Sequence, residues 1–329
     1  MRRREFIALL GGAAAASPLA AQAQLSEPMR RIGVLMNSAS DDEESLARLT
    51  VFLQALQRLG WTSGSNIRIE VRWAANDLKL YRQYSEELVA LAPDVVVAAA
   101  SQSVAALQQA SKTVPIVFAG VIDPVGAGFV KSMARPATNA TGFTAYEYSI
   151  SGKWLELLKE FVPKLKRAAV LRDPALAAGI GQFAVIQSMA ASAQLELSAI
   201  DTRDLGETER ALHDFAQEPD GGLILTASPS AFVYRETIFS LAARLRLPSI
   251  APFRYYAAAG GLASYGPDLI GLFPRAAAYV NSVLRGAKVA ELPVQAPTTY
   301  QLVVNAKTAR QIGIEIPNTL LSRADEVIE

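Results

Sequence analysis

No cysteine occurs among the 329 residues, and there is a single histidine. The first absence removes disulfides, thiol nucleophiles and thiolate metal centres together, and the second leaves too few ligands for a His-rich zinc site. An excess of either charge is also missing, with 32 Lys and Arg against 31 Asp and Glu. No basic block follows the first few residues, so nothing attracts nucleic acid or an anionic membrane surface. No apolar run beyond the N-terminus is long enough to span a bilayer. Catalytic signatures are absent as well. There is no G-x-S-x-G elbow, and Gly126-Ala127-Gly128 has neither the third glycine of a dinucleotide loop nor a following Walker lysine. His213 lies between charged residues in a predicted helix over 207–217, the place of a solvated side chain and not of a base. Neither a cofactor nor a metal is expected.

What is present begins at the N-terminus. Arg2, Arg3 and Arg4 lead through Glu5 and Phe6 into the apolar Ile7 to Leu10, then Gly11, Gly12 and an alanine run. A basic start, a modest apolar stretch and small residues at Ala21 and Ala23 make an export signal, with cleavage expected near Ala23. Arg3-Arg4-Glu5-Phe6-Ile7 fits the twin-arginine variety, the Sec route being the alternative. The other reading, a membrane anchor, meets a segment that is short and interrupted by glycine for a span of about 20 residues. Removal of residues 1–23 leaves 29 basic and 30 acidic residues, a nearly neutral chain expected in the periplasm.

The body alternates strand and helix patterns. Residues 31–36 are an apolar run, and Leu46, Leu49, Phe52, Leu53, Leu56 and Leu59 then recur at three and four as one helical face before Gly60. Strands are predicted at 66–72, 94–99 and 114–118, with helices over 78–91 and from Ser101 to Ala110 between them. A second series of strands is predicted at 167–171, 195–200, 222–226, 248–251 and 262–266, followed by a helix over 269–285 kinked at Pro274. Interleaving of this kind indicates an α/β fold with parallel sheets covered on both faces. We expect two doubly wound parallel-sheet lobes joined by a hinge of several crossovers. Lobe 1 would take residues 24–145 plus about 267–297, and lobe 2 residues 146–266 plus about 298–329. Ligands of open α/β sheets bind beyond the carboxyl ends of the strands, so the candidate site residues are the turns found there.

In the first lobe these turns are Asn37-Ser38, Ser101-Gln102-Ser103, and the stretch holding Val121 and Asp123. Serine hydroxyls and free N–H groups at a helix start can hold a ligand carboxylate, and one of the serines can equally cap the helix. Asp123-Pro124 can offer a carboxylate or form a simple turn. In the second lobe the matching places hold Arg172, Ser228, and Phe253-Arg254-Tyr255. Arg254 among aromatic rings combines an anion contact with stacking on a planar solute, or else forms an ordinary salt bridge. Tyr146, near the first crossover, either walls the cleft or packs the hinge.

Several segments resemble the tryptophan- and urea-like group of ABC-transporter substrate-binding proteins. They are the signal MRRREFIALLGG, VPIVFAGVIDPVGAG over 114–128, Ser151-Gly152-Lys153, Ser264-Tyr265-Gly266-Pro267-Asp268, Leu302-Val303-Val304-Asn305, and the tail from Arg323 to Glu329. The resemblance covers the chain beyond the signal. It implies a type I periplasmic-binding fold and a non-enzymatic, monomeric receptor. Such a receptor clamps an amino-acid-like, urea-like or aromatic small molecule and delivers it to an ABC permease in the inner membrane. Two alternatives remain: a ligand sensor for a membrane receptor, and an α/β enzyme with an unrecognised site.

Overall fold

The computed structural model describes residues 29–329, so the expected export signal lies outside the described residues. The first sheet is wholly parallel, in the order β2-β1-β3-β4-β5. Its strands and helices are β1 (Arg30–Met36), α1 (Glu43–Arg58), β2 (Ile67–Trp73), α2 (Leu78–Ala90), β3 (Val95–Ala99), α3 (Ala100–Ala110), β4 (Ile116–Val121) and β5 (Ala140–Thr144).

The second sheet has seven strands in the order β12-β11-β10-β9-β8-β6-β7. The chain enters it through α4 (Ile150–Phe161), β6 (Arg167–Arg172), α5 (Ala177–Ser192), β7 (Glu196–Asp201), α6 (Leu205–Phe215) and β8 (Gly221–Leu225). It continues through α7 (Pro229–Val233), α8 (Arg235–Arg244), β9 (Ser249–Ala251), α9 (Arg254–Ala258) and β10 (Ala263–Gly266). After α10 (Leu272–Leu284) come β11 (Gln301–Asn305), α11 (Ala306–Ile312), α12 (Asn318–Leu321) and β12 (Glu326–Ile328). Of its strand pairs, β10 with β11 alone is antiparallel. Two parallel-sheet lobes result.

The cores show how the chain moves between them. Leu272, Phe273, Ala276, Ala277, Val280 and Leu284 of α10 pack with Phe52 and Leu56 against the first sheet. Strand β11 and α11 return to the core of the second through Leu302, Val304, Ala309 and Ile312. The chain therefore passes between lobes after β5, after β10 and before β11. The first and last passages start side by side, since the Thr144 N–H donates to the Gln295 carbonyl and the Gln295 N–H to the Gly142 carbonyl, both at 2.9 Å. Several parallel strands of chain permit a hinge motion while restricting its direction. Among the described residues no helix is long and apolar enough to cross a membrane.

Three local expectations differ from what is observed. The face that α1 buries is Ser45, Arg48, Phe52, Ala55 and Leu56, while Leu46 and Leu53 are exposed. The helix is rotated by about one residue from the leucine stripe, because its partner includes the polar mouth of a cleft as well as the sheet. Pro274 produces no kink, for it sits in the first turn of α10, where an N–H would find no intrahelical acceptor. Residues 140–144 form a buried strand although Ala-Thr-Gly-Phe-Thr carries little apolar signal. Gly142 is required there, since a β-carbon would meet the Phe118 carbonyl oxygen at 2.0 Å.

Candidate functional site

The carboxyl ends of both sheets face a common cleft that contains a cavity of about 300 Å³. From the first lobe it is reached by Asn37 after β1, Asn76 after β2, Ala99 to Gln102 at the junction of β3 and α3, and Gly120 and Ile122 around the end of β4. From the second come Leu176 to Ala178 after β6, Ala227 to Pro229 after β8, and Phe253, Tyr255 and Tyr256 after β9. Ile122, Phe129, Phe232, Leu269 and Phe273 add apolar wall. Apart from these apolar residues, each contribution comes from the turn that follows a parallel strand or from the first residues of the helix after it, the position that α/β topology leaves free of packing.

The backbone is strained at this surface. Asn76 (φ 56°) and Ala100 (φ 66°) hold the left-handed region, as does Gly120 (φ 77°). A β-carbon there costs about 1–2 kcal/mol, and such conformations persist where the surroundings over-determine them, often at ligand clamps. Two helices aim uncapped N-termini at the cavity. Neither Ala99 before α3 nor Leu176 before α5 supplies a side-chain acceptor, so the first-turn N–H groups of both face it without one.

Arg48 projects into the same space from α1. It is only 5% exposed; one Nη donates to Glu44 at 3.3 Å, and Nε is buried with no partner. Its guanidinium lies 5.7 Å from the centre of the Tyr255 ring in the opposite lobe. Two other polar atoms of the lining are buried and unpartnered, Asn37 Oδ1 and the Tyr256 hydroxyl. The second-lobe floor is a run of touching rings. Phe253 lies 5.5 Å from Tyr146 and 5.4 Å from Tyr255, and Tyr255 lies 4.4 Å from Tyr256. Burial pushes the Tyr255 and Tyr256 phenols well above their ordinary range, keeping both as neutral hydrogen-bond donors.

Among the described residues, one ion pair joins the lobes beyond the cavity. Asp42 caps α1, one oxygen accepting the Ser45 N–H at 2.9 Å, while its other oxygen accepts from Arg235 of the second lobe at 3.1 Å. Arg235 in turn stacks on Phe232, 4.3 Å from the ring centre. With the Asp42 and Arg235 side chains only 8% and 21% exposed, this pair holds the two lobes in direct contact beside the cavity.

Of the residues singled out from sequence, Asn37, Ser101, Gln102, Ser228, Phe253 and Tyr255 line the cavity. The remaining seven do not. Ser38, Ser103 and Val121 are buried away from it, because residues alternate across a strand end and around a helix, sending their side chains behind the lining. Asp123 (φ 46°) turns its carboxylate back to accept the Gly126 N–H at 2.8 Å, so the turn reading holds. Tyr146 is core, and its hydroxyl accepts from Gln182 at 2.7 Å. Arg172 lies over the Phe183 ring at 4.6 Å. Arg254, expected to be the anion contact, points outward and makes a bidentate pair with Glu326, both bonds at 2.6 Å. The reason is rotational: α9 begins at this residue, and a helical step of about 100° separates it from its neighbours, so Phe253, Tyr255 and Tyr256 face in and Arg254 faces out.

The cationic side chain that lines the cavity is Arg48 instead. A signal for it existed in the sequence, an arginine sharing the buried face of α1 with Phe52 and Leu56 and following Glu44 by one turn. A fully apolar face would have needed no such pair.

Comparison with known proteins gives a consistent result. The sequence model of a family described as "ABC transporter substrate binding protein" matches residues 32–328. A tyrosine-binding protein of Clostridioides difficile (strain R20291) is 26% identical over 270 residues, 80% of this chain and 76% of that protein. A conserved domain protein of Vibrio cholerae superposes with a TM-score of 0.84 at 27% identity, covering 91% of this chain and 99% of that one. An ABC domain from Streptococcus pneumonia in complex with L-Trp gives 0.83 at 25% identity, with the same coverage.

Proposed function

The chain belongs to the ABC transporter substrate binding protein family, and from that premise we propose that it is an exported receptor for one small aromatic solute. In this reading the mature protein works in the periplasm as a monomer, closes its lobes on the solute, and presents the closed form to the permease in the inner membrane. No bond is made or broken. The observation that carries the proposal is the cavity between the strand ends of both lobes, lined by Phe129, Phe232, Phe253, Tyr255 and Phe273 with few polar groups. Relatives that hold tyrosine by name and L-Trp in a solved complex support a solute of that size and planarity.

The energetics follow from geometry. A solute bound to one lobe alone gains half of its contacts, and closure adds those of the other. The solute therefore shifts the open–closed equilibrium by its differential affinity for the closed form. Asp42 and Arg235 meet only across the lobes, so their pair forms on closure and joins that equilibrium.

The test is a panel of aromatic acids, aromatic amino acids and ureas added to the mature protein, read by melting temperature and by small-angle scattering. At a concentration about a hundred times Kd, a true solute is expected to add about 2.7 kcal/mol of stability and to reduce the radius of gyration. Enzymatic turnover of a compound, with no stabilising solute found, would contradict the proposal.

A further inference from the structure

Resting on the reading of the cleft as the seat of an aromatic solute, we infer that the solute is a carboxylic acid without an amino group. The cavity presents a full cation to a negative charge and no anion to a positive one. Arg48 is its single charged lining residue, 95% withdrawn from solvent, with Nε unpartnered. The uncapped N-termini of α3 and α5 face the same space from opposite lobes, and each carries a partial positive charge with free N–H donors. The Tyr256 hydroxyl, fully buried and unpartnered, is a further donor. A carboxylate entering here exchanges its water for preformed donors and a cation.

An ammonium group on the same solute has no counterpart. The carboxylates beside the lining have partners elsewhere, Asp77 accepting the Lys79 N–H at 2.7 Å and Asp268 the Ile270 N–H at 2.9 Å. Glu44 binds Arg48 at 3.3 Å, and Asp42 is divided between the Ser45 N–H and Arg235. Asp123 accepts the Gly126 N–H, and Asp173, itself 8% exposed, accepts the Ala175 N–H at 2.9 Å. A buried ammonium would then face Arg48 and two positive helix ends with neutral acceptors alone. Buried charges that remain unpaired are among the costliest groups in a protein. Asn37 Oδ1, an acceptor of the lining that is fully buried without a partner, suits a neutral donor such as a phenol hydroxyl or an amide N–H. The two aromatic amino acids held by relatives contain both charges, so this chain is assigned a different end of the same chemical range.

The experiment compares matched solutes on the mature protein by calorimetry: indole-3-propionate, L-tryptophan and tryptamine, with 3-(4-hydroxyphenyl)propionate, L-tyrosine and tyramine as a second set. Each acid is expected to bind at least tenfold tighter than its amino acid, a difference of about 1.4 kcal/mol, and the amines not at all. An amino acid that binds as tightly as its deaminated partner, or tighter, overturns this inference and leaves the aromatic-solute reading in place. Absence of binding throughout both sets, together with tight binding of a non-aromatic solute, overturns that reading and the inference with it.

Discussion

Replacing Arg48 with Met is expected to weaken binding of the anionic solute by about 2–5 kcal/mol, the loss seen when one partner of a buried, hydrogen-bonded charge pair is removed. That corresponds to a rise in Kd of roughly 30-fold to several thousandfold. The change should fall mainly on release, because Arg48 holds the solute once the lobes have closed and lies too deep to steer it in. Met keeps the aliphatic bulk that packs along α1 beside Ser45 and Phe52, so the empty protein should unfold within a few degrees of the parent. Glu44 loses its partner in the variant, but at 18% side-chain exposure it is not sealed from water. Calorimetry of both proteins with the same acid measures the effect. Equal affinities would remove Arg48 from the site, and a collapse of stability in the empty variant would give it a structural role instead.

Stability is expected to fall steeply above about pH 10, because the cleft floor and both cores hold buried phenols. Tyr81, Tyr146 and Tyr256 are each at most 2% exposed, and burial raises the pKa of all three above the ordinary value. Tyr148, beside the hinge, is pushed up to about 12 by burial and then by the charge of Asp123. A phenol with a raised pKa in the folded state keeps a proton that the unfolded chain gives up. Its stabilising effect is thus complete below the unfolded value near 10 and is lost as pH climbs toward the folded one. Each such group contributes about 1.4 kcal/mol per pH unit in that window, and three together about 4. In an alkaline titration, the absorbance of ionised phenol should show the exposed tyrosines first. A later cooperative step should coincide with loss of helical circular dichroism. All ten tyrosines of the chain titrating together near pH 10 in a protein that stays folded would contradict this.

The strands and their order of appearance were legible because parallel strands buried on both faces are written as apolar runs, as in Val95–Ala99 and Ile116–Val121. Strand β5 was not, since its packing depends on the absence of a side chain at Gly142 and not on apolar mass. The same topological rule that located the cleft pointed to Asn37, Ser101, Gln102 and Ser228, which line the cavity, because backbone geometry alone carries a strand-end turn to that surface. It could not say which neighbour of each turn faces inward. That choice depends on the residue at which the following helix begins, and at α9 the error of one position separates Tyr255 in the cavity from Arg254 on Glu326. Arg48 escaped for another reason. It stands mid-helix on α1, far from any turn, and the leucines beside it suggested a face rotated away from the true one.

The most direct measurement is a crystal structure of the mature protein saturated with whichever acid binds most tightly. The solute is expected between the lobes, its carboxylate at the start of α3 within hydrogen-bond reach of Arg48 and its ring against Phe253 and Tyr255, with Asp42 and Arg235 still paired. Density for the solute on one lobe alone, or anywhere outside this cavity, with Asp42 and Arg235 drawn apart, would contradict the clamp.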